Sequence, residues 1–264
     1  MKQLQLVATC LFGLEKLLGE EIDALGLHRT GTMDGRVLFE GDCADVARAN
    51  LTLRCAERVL VRVGAFPARS FDELFEGTRA LPWEEWIGRM DGFPVKGHAI
   101  KSRLHSVPDC QSIIKKAIVS RLSDAYRLRW LPETGVKYQI EFFLFKDMAS
   151  LMIDTSGTAL HKRGYRPDAG AAPLRETLAA ALALISRPRE DVLFWDPMCG
   201  SGTIAIEAAM ILSNRAPGLG RSFAAEQFAQ IPPPLWRDAR EQAEAAVRRD
   251  AQYEVWASDI DGEV

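Results

Sequence analysis

No two of the five cysteines (Cys10, Cys43, Cys55, Cys110, Cys199) form a CxxC pair, and none is grouped with histidine. That spacing argues against a structural zinc site, with no metal expected, and against a secreted disulfide framework. Reduced cysteines in a cytoplasmic protein are the expectation. There is no run of about 20 apolar residues, the length that crosses a bilayer. A signal peptide is also missing, because the short apolar stretch after Lys2 soon meets Glu15, Lys16, Glu20 and Glu21. No membrane partner is therefore expected. Neither sign of charge dominates, with 33 Lys and Arg against 36 Asp and Glu, net −3. Any nucleic-acid contact must then come from a local basic face. Internal repeats and low-complexity tracts are absent. What remains is 264 residues, 47% hydrophobic and 26% charged, the profile of a globular chain with one large or two to three small domains.

The first 65 or so residues read as strand, helix, two strands, helix, strand, a small ferredoxin-like α+β unit. Residues 4–10 form the first strand. Leu14, Leu17, Leu18, Ile22 and Leu25 give a helix over 13–25 one apolar face, and Gly26 stands at its C-cap. Asp34-Gly35 marks a hairpin, Asp42 is an N-cap for a helix over 43–53, and Glu57 to Phe66 forms a strand. The next block contains a short helix from Ser70, a tryptophan pair (Trp83, Trp86) placed in the core, and a strand near Pro94–Leu104. A helix over 109–127 and strands at Lys137–Phe145 and Ser150–Asp154 complete it. From Ala172 the pattern becomes helix, buried strand (Val192 to Trp195), glycine loop, helix (Thr203 to Leu212), charged helix (235–250) and strand (Tyr253–Ser258). Such alternation predicts a parallel, doubly wound sheet.

The most informative stretch is Asp196-Pro197-Met198-Cys199-Gly200-Ser201-Gly202-Thr203. An acid at a strand's C-terminal tip faces the crevice where open α/β sheets bind ligands. Glycines let the backbone turn tightly there, and the following helix offers unpaired amides. A phosphate-binding GxxxxGK[ST] loop is ruled out by the missing lysine. Gly200, Gly202 and Ala205 satisfy the G-x-G-x-x-A of a dinucleotide site. That fold expects an acid about 20 residues on, whereas the next strand-tip acid is Asp259, far downstream. The third reading is S-adenosylmethionine, with the first acid facing its methionine part and the second its ribose.

DPMCGSGTIAIEAA closely resembles the first motif of the THUMP-domain RNA methyltransferases, which modify guanine N2 in ribosomal and transfer RNA. Upstream, LHKRGYRPDAGAAPLRETLAAAL resembles the segment leading into that family's catalytic domain. Downstream, WASDID resembles its second motif. The resemblance implies a class I, Rossmann-like methyltransferase domain. Asp196, Pro197, Cys199, Gly200, Ser201, Gly202 and Thr203 would lie beside S-adenosylmethionine, with Asp259 at the ribose. Glu207 matches a family position, although a carboxylate favoured by the helix dipole explains it as well.

Residues 96–129 hold Lys96, Lys101, Arg103, Lys115, Lys116, Arg121, Arg127 and Arg129 against Asp109 and Asp124. Ile113, Ile114, Ala117, Ile118 and Leu122 form the apolar face of a helix there, which leaves Ser112, Lys115, Lys116 and Arg121 to face phosphates. From composition alone, a merely solvated charged face is the favoured reading. VKGHAIKSRLHSVPDCQSIIKKAI is similar to the core of a THUMP domain, which implies RNA contacts at Lys101, Arg103, Ser112, Lys115 and Lys116. His161, Lys162, Arg163 and Arg166 form a second basic cluster, either on an RNA path or in a charged linker. The expected division is 1–66 ferredoxin-like, 67–159 THUMP and 160–264 methyltransferase.

The family's [N/D]PP[Y/F] motif, which holds the target amine and stacks on the flipped base, does not occur here. The proline run Ile231-Pro232-Pro233-Pro234 has neither its polar residue nor its aromatic. A truncated, inactive piece of a longer enzyme is the expectation, and no catalytic residue is assignable. The expected activity of the parent is guanine-N2 methylation of structured RNA, with large-subunit ribosomal RNA favoured over transfer RNA. A non-catalytic RNA-binding protein and an adenine-N6 methyltransferase are the alternatives.

Overall fold

A computed structural model describes residues 2–165 and 174–260. In chain order the elements are β1 (Leu4–Thr9), α1 (Glu15–Ala24), β2 (His28–Met33), β3 (Arg36–Gly41), α2 (Cys43–Thr52), β4 (Arg58–Pro67), α3 (Phe71–Arg79), β5 (Val95–Ile100) and α4 (Val107–Tyr126). Then follow β6 (Ile140–Phe145), β7 (Met148–Asp154), α5 (Glu176–Ser186), β8 (Phe194–Asp196), α6 (Thr203–Leu212), α7 (Pro233–Ala245) and β9 (Val255–Ala257). Local chemistry accounts for several boundaries. Asp42 Oδ1 accepts from the Ala44 and Asp45 amides at 2.8 and 3.1 Å, while Asp45 Oδ2 accepts from the Asp42 amide at 2.9 Å. This is a reciprocal cap that starts α2. Gly26, at φ +73°, closes α1 in the left-handed region. The predicted start of α5 at Ala172 lies outside the described residues.

The ferredoxin-like and THUMP segments share one seven-stranded sheet, ordered β2-β3-β1-β4-β7-β6-β5. Strand β4 is the seam, antiparallel to β1 on one side and to β7 on the other. The sequence pattern showed the strands but not this fusion, because period-2 alternation carries no information about which strand is the neighbour. Ahead of the stretch Gly31 to Glu40, which reads from sequence as a turn and a strand, the first hairpin strand begins at His28. Its residues are mostly exposed, so no apolar alternation announced it.

Strand alternation divides the sheet into two faces. Leu6, Phe39, Val59, Val61, Phe142, Leu144, Leu151 and Ile153 point into the main core beneath the helices. Val7, Leu60 and Met152, with Leu38 and Phe143 against them, form a separate small cluster on the other face. Trp83 is fully buried and Trp86 nearly so, with Trp83 Nε1 donating to the Thr78 carbonyl at 2.7 Å. Burying an indole removes roughly 150–250 Å² from water, about 4–6 kcal/mol at 25 cal/mol per Å². These tryptophans therefore pack the core, as the sequence pattern favoured.

The irregular stretch after α6 wedges the methyltransferase segment against the rest. Gly218 N donates to the Leu51 carbonyl at 2.9 Å, and Phe228 stacks on Tyr138 with centroids 4.2 Å apart. Gln230 Nε2 donates to the carbonyls of Glu85 and Trp86 at 2.7 and 2.9 Å. Helix α7 packs on α2. The proline run is structural here: Pro233 opens α7 at its first turn, where a missing amide is harmless.

Candidate cofactor site

Strands β8 and β9 run parallel, with Trp195 beside Trp256 and Asp196 beside Ala257. The strand expected to be buried is three residues long and open: Trp195 and Trp256 are each 59% exposed. The ladder continues past the strands. Ser258 N donates to the Asp196 carbonyl at 2.9 Å and Cys199 N to the Ser258 carbonyl at 3.0 Å. This zip brings Asp259 to the glycine loop, where its Oδ2 accepts from Gly200 N at 2.8 Å. Asp196 and Asp259, far apart in sequence, thus flank one turn. Gly200 and Gly202 stand at φ +49° and +72°, and a Cβ at Gly200 would meet nothing within 4 Å. Open space beside a left-handed glycine leaves room for a ligand along the backbone. Gly202, which has no side chain to cap with, is also the N-cap of α6, so the first-turn amides of that helix lie at the same turn. Ser201 Oγ lies 3.4 Å from Thr203 Oγ1.

Asp196 itself is half-buried. Its Oδ1 accepts from the Met198 amide at 3.3 Å, and its Oδ2 is buried without a hydrogen-bond partner among the described residues. Such an orphaned acceptor is destabilising unless something else satisfies it. An amine-bearing ligand fits that requirement.

Beneath the loop, Glu207 in the second turn of α6 is fully buried. Its Oε1 accepts from Tyr165 OH at 3.0 Å and from Arg163 Nε at 3.4 Å. Arg163 also donates to the Leu160 carbonyl at 2.7 Å and to the Arg54 carbonyl. Arg54 in turn donates to the carbonyls of Met210 and Arg215 at 3.3 and 2.9 Å. Burial pushes the Arg54 guanidinium pKa down, opposed by the Glu21 and Glu207 carboxylates. The dipole reading of Glu207 is thus incomplete, because the side chain is an interior partner of Arg163. Arg163, read from sequence as part of a basic cluster on an RNA path or linker, is 3% exposed and faces inward. His161 contacts Glu57 at 2.9 Å, and Arg166 lies outside the described residues. Arg54 was missed in the sequence. The signal was there, a lone arginine in LTLRCA between apolar residues.

The expected RNA residues lie on the β5–α4 loop and the first half of α4. Lys101, Arg103 and Lys116 are exposed, and Ser112 is exposed with its hydroxyl given to the Pro108 carbonyl at 3.0 Å. Lys115 differs from the sequence reading. Its Nζ lies 2.6 Å from each Glu133 carboxylate oxygen and 3.5 Å from the Phe93 ring centroid. Arg121 is likewise paired, with Glu84. Both partners are distant in sequence, so helical periodicity alone left these cations facing solvent. No cluster of three or more metal-ligating side chains occurs among the described residues, and no helix among them is long and apolar enough to cross a membrane.

Three family models match in order along the chain: the RlmL ferredoxin-like domain over 5–60, the THUMP domain over 68–154, and the RMKL-like methyltransferase domain over 163–264. YpsC of Bacillus subtilis (strain 168), provisionally named an RNA methyltransferase, is 48% identical over 263 residues, 99% of this chain and 68% of YpsC. The chain belongs to the THUMP-domain RNA methyltransferase family. A Listeria monocytogenes structure provisionally described as an N6-adenine-specific DNA methylase is 50% identical, with TM-score 0.96 over 100% of this chain and 69% of that one. SMU.472, provisionally described as a methyltransferase and solved with S-adenosylhomocysteine, is 44% identical, with TM-score 0.94 over 100% and 70% of the two chains. TrmN from Thermus thermophilus, 22% identical with TM-score 0.58, shares the fold.

Cysteine chemistry gives one check on the loop. Burial pushes the Cys10 thiol up to about 12, and the thiols of Cys43, Cys55 and Cys110 also rise, chiefly through burial. A thiol with a pKa near 12 is roughly one part in ten thousand thiolate at pH 8. Cys199 sits part-exposed in the glycine loop. Iodoacetamide at pH 8 should therefore label Cys199 first, as read by peptide mass spectrometry, and S-adenosylhomocysteine should slow that labelling. Even labelling of all five cysteines would contradict the geometry.

Proposed function

We propose that this protein methylates a guanine N2 amine in structured RNA, with large-subunit ribosomal RNA as substrate and S-adenosylmethionine as methyl donor. The observation that carries the cofactor assignment is the Asp196 oxygen, buried without a hydrogen-bond partner among the described residues at a parallel strand's tip, beside two left-handed glycines and a helix N-terminus. The residues proposed to hold the cofactor are Asp196, Pro197, Cys199, Gly200, Ser201, Gly202, Thr203 and Asp259. When bound, the cofactor supplies an electrophilic methyl group on a sulfonium centre. The relative solved with S-adenosylhomocysteine supports the same reading.

The proposed division of labour follows segments 1–66, 67–159 and 160–264, in a cytoplasmic protein. Lys101, Arg103, Ser112, Lys115 and Lys116 are the proposed RNA contacts, because phosphate contacts from basic side chains set register on a nucleic acid. Lys115 would exchange Glu133 for a phosphate. The THUMP match favours RNA over the DNA named for the Listeria relative.

The test uses a chain of YpsC's full length, of which the matched part is 68%. It is incubated with ribosomal RNA, transfer RNA or DNA and radiolabelled S-adenosylmethionine, and the nucleosides are separated by chromatography. Label in N2-methylguanosine from ribosomal RNA is the expected result. Label in N6-methyladenosine, or in DNA alone, would overturn it.

A further inference from the structure

Among the described residues no helix or strand covers the sheet face turned away from the helices, and that face has an unusual composition. Cross-strand register puts Leu38, Val7 and Leu60 in one row, and His98, Phe143 and Ser150 in another. Between them lies a shallow groove lined by Arg36, Arg62, Phe143, Phe145, Lys146 and Met148, among others, with no carboxylate in its lining. The rings of Phe143 and Phe145 lie nearly parallel, 11° apart with centroids separated by 5.8 Å. The Arg36 guanidinium carbon lies over the Phe143 ring, 3.6 Å from its centroid, and Lys146 Nζ lies 5.2 Å from that of Phe145. Arg62 Nε is buried without a hydrogen-bond partner. The acids on the same face are held mainly by other groups: Glu141 by Lys96 and Arg58, although its charge also reaches the part-buried Arg36 guanidinium, Asp154 by Arg58, and Glu40 by Gln3. Neither Arg36, Arg62 nor Lys146 has an ion-pair partner among the described residues.

We infer that this open sheet face is a second RNA surface, where one or two unpaired nucleotides stack on Phe143 and Phe145 while Arg36, Arg62 and Lys146 take their phosphates. The inference rests on the reading of RNA as the substrate. The occupant follows from chemistry. An apolar floor of aromatic rings suits any base, since every base has a π-face, and sequence-tolerant single-strand binding combines such rings with basic side chains. A duplex hides its base faces, so the groove selects single-stranded RNA. An acid-free, three-cation lining complements a polyanion, whereas a protein partner buried there would have to supply carboxylates to three cations on a small apolar patch. This surface is separate from the α4 block, which lies on the helical side of the sheet. Two surfaces of different chemistry would grip a helical and an unpaired part of one structured RNA.

The experiment measures binding of a fluorescent octauridylate by anisotropy to the wild-type chain, to the Phe143→Leu/Phe145→Leu double variant and to Arg62→Gln. Leucines keep the apolar volume and remove the stacking. Loss of two stacked bases should weaken binding about tenfold or more. Arg62→Gln should lower the slope of log affinity against log salt by about 0.7, the value of one phosphate contact on a single strand. S-adenosylhomocysteine affinity should be unchanged in all of them. A 4-thiouridine-substituted octamer crosslinked to the wild-type chain gives a readout that does not depend on a variant folding, with crosslinks expected in peptides spanning 140–152. Equal affinity in all variants, or crosslinks confined to 101–116, would overturn the inference. So would sedimentation showing a dimer that the double variant dissociates, which would assign the face to a second copy. Each of those results leaves the cofactor and methyl-transfer reading intact, whereas methylation of DNA alone would remove the reading on which this one rests.

Discussion

Arg163→Ala is expected to lower the stability of the chain by about 3–5 kcal/mol, the usual consequence of leaving one member of a buried ion pair unpaired. The side chains of Arg163 and Glu207 are 2% and 0% exposed. Glu207 Oε2 already lacks a hydrogen-bond partner among the described residues, and removing the Arg163 guanidinium would leave the carboxylate the Tyr165 hydroxyl and the more distant charge of Arg54. In a domain of this size each kcal/mol shifts the melting temperature by roughly 2–4 °C, so a fall of about 10 °C is predicted by calorimetry. Replacing both partners, Arg163→Met with Glu207→Leu, should restore much of the loss, because apolar substitutes of similar volume remove both desolvation penalties. A single variant within about 1 kcal/mol of wild type would show that the pair is not the interior tie described. The tie matters for function because Glu207 rides on the helix that the glycine loop begins, while Arg163 donates to the Arg54 carbonyl of the N-terminal unit. One buried network therefore sets the loop relative to the ferredoxin-like and THUMP half.

Gly202→Val is expected to weaken S-adenosylhomocysteine binding by roughly 5- to 30-fold. The left-handed conformation at φ +72° costs a residue with a Cβ about 1–2 kcal/mol, and each 1.4 kcal/mol is tenfold in affinity. Valine's branched Cβ sits worse still. The strain would be relieved by moving the loop, and the first-turn amides of α6 would move with it. The folded chain should survive, since Gly202 meets only the tip of Ile206 at 4.0 Å. Titration calorimetry checks the affinity and circular dichroism the fold. Unchanged affinity would mean that the turn does not shape the cofactor site.

How much of this was readable in the sequence depended on whether the information was local. The glycine loop was, because the acid, the glycines and the following helix lie in consecutive residues. The Asp42 cap and the Asp34-Gly35 turn were legible for the same reason, while the reciprocal bond from Asp45 was not read. Pairing was not. The fusion of two expected small sheets along β4 required knowing that Arg58–Pro67 has a partner on each side, and nothing in a strand's alternation states that. Charge pairing failed for the same cause: Lys115 and Arg121 lie on an exposed helix face by periodicity, yet Glu133 and Glu84 reach them from other segments. The open sheet face was hidden because FFLF reads as a buried strand, when only Phe142 and Leu144 enter the main core. Arg163 sat inside a basic run, and composition had no means of separating an interior arginine from exposed neighbours.

The most direct test of the cofactor assignment is a calorimetric titration of S-adenosylhomocysteine into this chain and into Asp196→Ala. About one ligand per wild-type chain is predicted, with binding at least tenfold weaker in the variant. That follows because a hydrogen bond to a charged acceptor contributes about 1.5–3 kcal/mol. Equal binding by the two proteins, or none by a folded wild-type chain, would contradict the assignment of the glycine loop as the S-adenosylmethionine site.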